Sequence, residues 1–272
     1  MQGDRMTKLR KIWNAGQPVL NGWCSIGNAF TAEIMAAQGF DSVTVDMQHG
    51  ALDYSDLLPM LQAMRASGAT LMARVPWLDP APVMKALDAG AEGVICPMVN
   101  SAADAARFAS YMRYPPLGQR SFGPTRAAFA HGVQTSEAAN QSVLAFAMIE
   151  TAEGFADLEA IVTTPGIDGI YVGPADLSLS LSAGRLAAGL DREEPEIVDA
   201  LQTIAATCRR HGRIAGLHCG TPEYAKRAVG WGFGLVTVGG DTRFLTLGAA
   251  AAVADFRKLT DADAPAATPA GY

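Results

Sequence analysis

Eight short apolar runs recur along this chain, at residues 19–24, 42–45, 71–75, 93–97, 144–149, 169–172, 214–218 and 235–238. They are rich in Val, Ile, Leu and Ala, so a sheet built from them is buried on both faces, which calls for parallel strands covered by crossover helices. Most of the intervening stretches carry the 3.6-residue apolar spacing of helices. Leu57, Leu58 and Leu61 follow a start signal at Ser55, and Asp79-Pro80 opens a helix through Leu87 that stops at Gly90. Eight strand–helix units predict an α/β fold of the (β/α)8 TIM-barrel type, whereas a doubly wound sheet would show about five or six strands and a glycine-rich first turn. No G-x-G-x-x-G or Walker sequence occurs. The 272 residues suit one barrel of roughly 250 residues, so a single domain is expected over 1–257, with 258–272 an Ala- and Pro-rich tail.

Two longer segments, 113–141 after the fourth run and 177–194 after the sixth, are expected at the barrel's C-terminal mouth. Residues 242–256 read as a helix with Leu245, Leu247 and an alanine run. That is more apolar than an exposed final helix needs, and docking on another subunit is expected. A net charge of -6 offers no positive field for a phosphate backbone, so nucleic acid is excluded as a partner. The basic start from Lys8 to Lys11 leads into Asn14, Gly16, Gln17 and Pro18 rather than an apolar core, and no 18-residue apolar run follows. A cytoplasmic protein with no membrane partner is therefore expected. Cys24, Cys96, Cys208 and Cys219 form no C-x-x-C pair and read as buried free thiols.

An ionisable residue at the end of a buried strand needs a reason, because burying an unpaired charge is costly. Asp46 closes one strand, with His49 three residues on; Arg74 lies near the end of L-M-A-R-V; Glu150 closes A-F-A-M-I-E; and Asp176 follows G-I-Y-V-G-P-A-D. Barrel geometry gathers these tips around one mouth. Glu150 and Asp176 suit a hard divalent cation, Mg²⁺, Mn²⁺ or a similar ion such as Co²⁺, that also takes substrate oxygens. A cation so held can bind the carboxylate and keto oxygens of a 2-oxo acid and stabilise an enolate. Arg74 is placed to stabilise the same oxyanion, and His49 to move a proton. The turn from Gly173 to Asp176 offers the N–H groups of Ala175 and Asp176 to a substrate carboxylate.

Other chemistries lack their residues. Lys8, Lys11, Lys85, Lys226 and Lys258 all fall in the N-terminal segment or in helical stretches, which leaves no lysine for a Schiff base. No G-x-S-x-G elbow is present, and the neighbours His218 and Cys219 point to opposite faces of a strand. His218 itself ends the seventh run, where it would shape the aldehyde side of a pocket or simply pack.

The segments D-M-Q-H-G (46–50), A-R-V-P (73–76), R-Y-P-P-L-G-Q-R-S-F-G (113–123), M-I-E-T (148–151) and V-G-P-A-D-L-S (172–178) resemble the HpcH/HpaI aldolases, collinearly over about residues 8–257. These are metal-dependent class II 2-keto-3-deoxy acid aldolases, including 4-hydroxy-2-oxoheptanedioate aldolase. The resemblance implies His49 as base, Arg74 as transition-state stabiliser, Glu150 and Asp176 as metal ligands, and Ala175 with Asp176 as pyruvate contacts. It also implies that Asp88 raises the basicity of the histidine. On a helix end at the barrel's other face, Asp88 could do so only across a subunit boundary, as in a hexameric trimer of dimers with exchanged C-terminal helices. Gln48 stands where members often carry Glu, and Met148 where they carry a substrate-contacting Gln. The expected activity is reversible cleavage of a 4-hydroxy-2-oxo acid to pyruvate, or hydroxypyruvate, and an aldehyde. The alternatives are a citrate-lyase-β-like acyl-CoA lyase and a non-catalytic metabolite-binding protein on the same scaffold.

Overall fold

The structure is a computed structural model that describes residues 7–132 and 135–259. Eight parallel strands close into a barrel in sequence order: β1 Val19–Cys24, β2 Ser42–Asp46, β3 Thr70–Arg74, β4 Gly93–Cys96, β5 Leu144–Ile149, β6 Gly169–Val172, β7 Ile214–His218 and β8 Leu235–Gly240. All eight expected runs are strands, in a single (β/α)8 domain. Strand β2 takes in Asp46, and β8 continues to Gly240.

The period-2 alternation of a strand divides the core into two layers. Along β5, Leu144, Phe146 and Met148 point into the barrel with Trp23, Met72, Ile95, Tyr171 and Leu235. Ala145, Ala147 and Ile149 point outward and pack with Val83, Leu87, Phe108, Ile161 and Ile204 of the surrounding helices. Gly216 makes room for the inner Tyr171, since a Cβ there would lie 2.8 Å from its ring. The helix Lys8–Asn14 plugs the lower end with Leu9, Ile12 and Trp13.

Local capping chemistry places the helices, with one shift from expectation. The second outer helix, Tyr54–Ala63, starts at Asp53 and not at Ser55, because Asp53 accepts from Ser55 N–H while Asp56 accepts from Asp53 N–H. The helix Pro80–Asp88 has Asp79 as its cap and proline in its first turn, as expected.

A larger correction concerns residues 113–141. The helix Ala102–Met112 follows β4 directly, so this segment comes after the helix and lies across the barrel's N-terminal face, opposite the mouth. There Arg120 pairs with Asp88 at 2.7 Å, Arg126 bonds Ala89 O, and His131 Nε2 lies 3.0 Å from Gly90 O. The other long segment does reach the mouth, where it contributes Leu190.

The final helix, Asp241–Leu259, spans the expected 242–256 and leaves Leu245, Phe256 and Leu259 65%, 66% and 85% exposed. Asp241 anchors its start by accepting from the backbone N–H groups of Ser25, Ile26 and Thr242. Of the tail expected at 258–272, Lys258 and Leu259 still belong to this helix, and the remainder lies outside the described residues. Among the described residues no helix is long and apolar enough to cross a membrane.

Under the barrel, Asp168 takes Arg10 Nη2 at 2.6 Å, Arg113 Nη2 at 2.9 Å and the N–H of Ala145 at 2.8 Å. The Arg113 side chain is 7% exposed. Asp168→Ala would leave a buried cation unpaired, and we expect a loss of about 3 kcal/mol in chemical denaturation. A loss below about 1 kcal/mol would mean that the clamp does not hold the fold.

Candidate active site

The pairing register of β2 and β3 sets Asp46 directly beside Arg74 at the mouth. Their side chains meet in a two-pronged pair, Arg74 Nε to Asp46 Oδ1 at 2.8 Å and Nη2 to Oδ2 at 2.6 Å. Trp23, from β1, donates its indole N–H to Asp46 Oδ2 at 3.2 Å and lies under the guanidinium, 4.9 Å from ring to Cζ. Burial pushes the Asp46 carboxyl upward, but the Arg74 bonds and charge and the N–H groups of Gln48 and His49 outweigh it and hold it below its ordinary value. Asp46 is therefore a fixed anion that orients Arg74. Its backbone partners also set the turn that presents His49, an exposed side chain lining the mouth. Gln48 turns its Oε1 inward, where it is buried with no hydrogen-bond partner among the described residues.

The two remaining acids come from neighbouring strand tips. Glu150, just beyond β5, is 2% exposed, and its Oε1 accepts the N–H of Met98 at 2.8 Å. Met98 reaches this position in the left-handed region, at φ 55°, a strain of order 1–2 kcal/mol for a residue with a Cβ. Burial raises the Glu150 carboxyl to about 7; the nearby Asp176 charge pushes the same way, while the Met98 N–H and Arg74 oppose it. Asp176 is exposed in the first turn of the helix Pro174–Leu181. Between the two acids, a Cβ on Gly173 would stand 2.8 Å from Glu150 Oε2 and 2.5 Å from Met148 Cε, so a larger residue there would displace the ends of both side chains.

This donor set fits a hard divalent cation. Two carboxylates, one buried against its own desolvation and against its neighbour's charge, gain from a shared counter-ion, and both offer oxygen alone. Among the described residues no group of three or more His, Cys, Asp or Glu side chains forms a closed metal cage. An ion here would thus keep positions for other oxygens.

The mouth is a cavity of about 750 Å³ whose lining includes Asp46, His49, Arg74, Met148, Gly173, Ala175 and Asp176. Glu150 is buried beside the lining residue Gly173 and not in the lining itself, and the expected site residue that stands apart altogether is Asp88. That acid lies at the opposite face, bonded to Arg120, and does not meet His49 within one chain. Met148 forms part of the floor, its sulfur 4.0 Å from Arg74 Nη1.

Sequence reasoning missed Trp23 and Tyr171, whose stacked rings lie 5.7 Å apart beneath the mouth. The signal was present: buried Trp and Tyr must find partners for N–H and O–H. His218 joins them, with Nδ1 3.1 Å from Tyr171 Oη and its ring edge-on to Trp23 at 4.8 Å.

Residues 22–246 match the HpcH/HpaI aldolase/citrate lyase family. The chain is 39% identical to a hydroxypyruvate/pyruvate aldolase of Rhizorhabdus wittichii over 93% of this chain and 100% of that one. It is 33% identical to a 4-hydroxy-2-oxo-heptane-1,7-dioate aldolase of Salmonella typhimurium, over 91% and 95% of the two chains. An HpcH/HpaI aldolase/citrate lyase family protein from Burkholderia cenocepacia superposes with a TM-score of 0.81 at 30% identity, over 88% of this chain and 95% of that one. The chain belongs to the HpcH/HpaI aldolase/citrate lyase family. It is a carbon–carbon lyase of the aldolase type.

Burial and the Arg74 charge push the His218 imidazole down to about 4, against the weaker pull of Asp46. The unfolded imidazole takes a proton near 6.5. Stability from keeping this ring neutral is therefore full above that pH and is lost as pH falls toward 4, by up to about 3 kcal/mol. Denaturation midpoints should fall more steeply between pH 6.5 and 4.5 in the wild type than in His218→Phe. Parallel profiles would refute the shift.

Proposed function

We propose that this chain cleaves a 4-hydroxy-2-oxo acid reversibly to pyruvate, or a near relative such as hydroxypyruvate, and an aldehyde. The observation that carries the reading is the meeting of Asp176 with the Asp46-oriented Arg74 on one cavity, with Glu150 buried beside Gly173 of its wall and under the influence of the Asp176 charge. Glu150 and Asp176 would hold a divalent cation, Mg²⁺, Mn²⁺ or Co²⁺, which when bound supplies a Lewis acid for the carboxylate and keto oxygens of the 2-oxo acid.

The chain's own groups do the rest. Arg74 has two of its nitrogens committed to Asp46, and Nη1 remains to stabilise the negative charge that grows on the keto oxygen as the C–C bond breaks. The backbone N–H groups of Ala175 and Asp176, in the first helical turn after Gly173, receive the substrate carboxylate. Met148 closes the floor with a thioether, which excludes water without adding a hydrogen bond. His49, open to the mouth, takes the 4-hydroxyl proton in cleavage and returns it in condensation. Gln48 in place of an acid leaves one negative charge fewer beside the carboxylates.

The assembly belongs to the same proposal. The bare apolar face of Asp241–Leu259 fits exchange with another subunit, and Asp88 can serve a histidine only where a second copy lays its N-terminal face over a mouth. A hexamer meets both requirements. The four buried thiols go with a cytoplasmic setting.

Pyruvate release from 4-hydroxy-2-oxo acids, measured after EDTA treatment and again with Mg²⁺, Mn²⁺ or Co²⁺ restored, tests the reading. Activity should vanish and return; full activity after complete metal removal would overturn it. Release only from a CoA thioester, or pyruvate binding without turnover, would do so as well. His49→Ala and Arg74→Ala should each lower turnover more than tenfold in folded protein, and near-wild-type rates would reject that residue's role. Glu150→Ala should weaken cation binding in calorimetry.

A further inference from the structure

The hydroxyl and amide groups buried beneath the mouth fix the direction of a hydrogen-bond chain. Asn21 Oδ1 accepts from Ser42 Oγ at 2.8 Å and from Thr44 Oγ1 at 3.1 Å, while its Nδ2 donates to Thr237 Oγ1 at 2.9 Å. Turning this amide over would strand both hydroxyl protons, so the orientation with Oδ1 toward them satisfies more groups. Thr237 Oγ1 is then already an acceptor, and an amide nitrogen cannot accept its proton. Among the described residues the other partner of that hydroxyl is Tyr171 Oη, 2.7 Å away. With the Thr237 proton on Tyr171 Oη, every buried proton of the chain finds an acceptor when the Tyr171 proton points to His218 Nδ1 at 3.1 Å. Burial raises the Tyr171 phenol well above its ordinary value, against the weaker effect of Thr237, so it keeps that proton. With Nδ1 an acceptor, the neutral imidazole carries its proton on Nε2.

That nitrogen has no partner among the described residues and is not among the buried unpartnered atoms, while the ring lines the mouth. The cavity's two walls differ. Arg74 and the turn from Gly173 to Asp176, next to Glu150, form the side that suits a 2-oxo acid. Trp23, His218, Gly239 and Gly240, from the ends of β1, β7 and β8, form the other, together with Thr242 and Arg243 from the first turn of the final helix. A three-carbon acid leaves much of a cavity of about 750 Å³ to the aldehyde-derived half.

We propose that His218, locked as the Nε2–H tautomer by the chain from Asn21 through Thr237 and Tyr171, donates a hydrogen bond to an oxygen substituent on the aldehyde-derived half and so selects hydroxyaldehydes over alkyl aldehydes. The proposal deepens the aldol reading above and rests on it. His218 is a specificity determinant; Asn21, Thr237 and Tyr171 are positioning residues that act through it. A neutral donor facing an apolar isostere is left unpaired when that isostere binds, which gives discrimination on top of affinity.

The test has two arms. Nitrogen-15 NMR of histidine-labelled wild-type protein distinguishes a protonated from an unprotonated ring nitrogen, and should show His218 with its proton on Nε2; Tyr171→Phe should erode that preference. In condensation with pyruvate, the ratio of kcat/KM for glycolaldehyde over propanal should exceed unity in the wild type. It should fall about five- to tenfold in His218→Phe and recover in part in His218→Gln, which restores an N–H donor. A proton on Nδ1 in the wild type, or an unchanged ratio in His218→Phe, would overturn the proposal. Wild-type enzyme that neither turns over nor exchanges the methyl protons of pyruvate with D₂O would end the aldol reading instead, and the NMR arm would still decide the tautomer.

Discussion

The pair between Asp46 and Arg74 is the interaction on which the mouth depends. Either charge alone would be costly to bury in the barrel; together, with Trp23 beneath and two backbone N–H groups on the carboxylate, they form a satisfied unit. It exists because β2 and β3 pair in a register that ends both strands at the same height. The turn carrying His49 and the free edge of the guanidinium both take their positions from it. A slip of one residue between these strands would turn one of the two side chains to the outer layer and dismantle the site.

Across the mouth the arrangement is opposite in character. Among the described residues Glu150 forms no ion pair to match its burial, and its carboxyl rises to about 7 with Asp176 nearby. The N–H of the left-handed Met98 holds it there, and the bare Gly173 leaves room for its other oxygen. One wall is thus electrically complete, and the other asks for positive charge. This asymmetry separates a fixed stabiliser, Arg74, from a place for an exchangeable ion.

Most of the fold was legible because both of its periodicities are written in apolar residues. Each buried strand is a mostly apolar run, and the Asp79-Pro80 cap marks its helix outright. The strand-end acids were legible for the same reason, since a charge interrupting such a run stands out. What was hidden depends on three-dimensional closure. The placement of 113–141 followed from whether Ala102–Met112 precedes it as a helix, and spacing between strands does not say which face an insertion joins. Trp23, Tyr171 and Thr237 read as ordinary strand residues, and their partnership arises only when β1, β6 and β8 meet across the barrel. Asp88 is a different case: its local context is a helix end, and its partner in the chain, Arg120, lies 32 residues away.

The exposed terminal helix gives biosynthesis an order. Ribosomes release the chain from its N-terminus, so all eight strands are available before Asp241–Leu259 emerges. The barrel can close on itself without that greasy rod, whose anchor, Asp241, docks onto backbone that is already in place. Stickiness therefore arrives last, on a finished particle, and neighbouring nascent chains are spared an adhesive surface while their own sheets are still open.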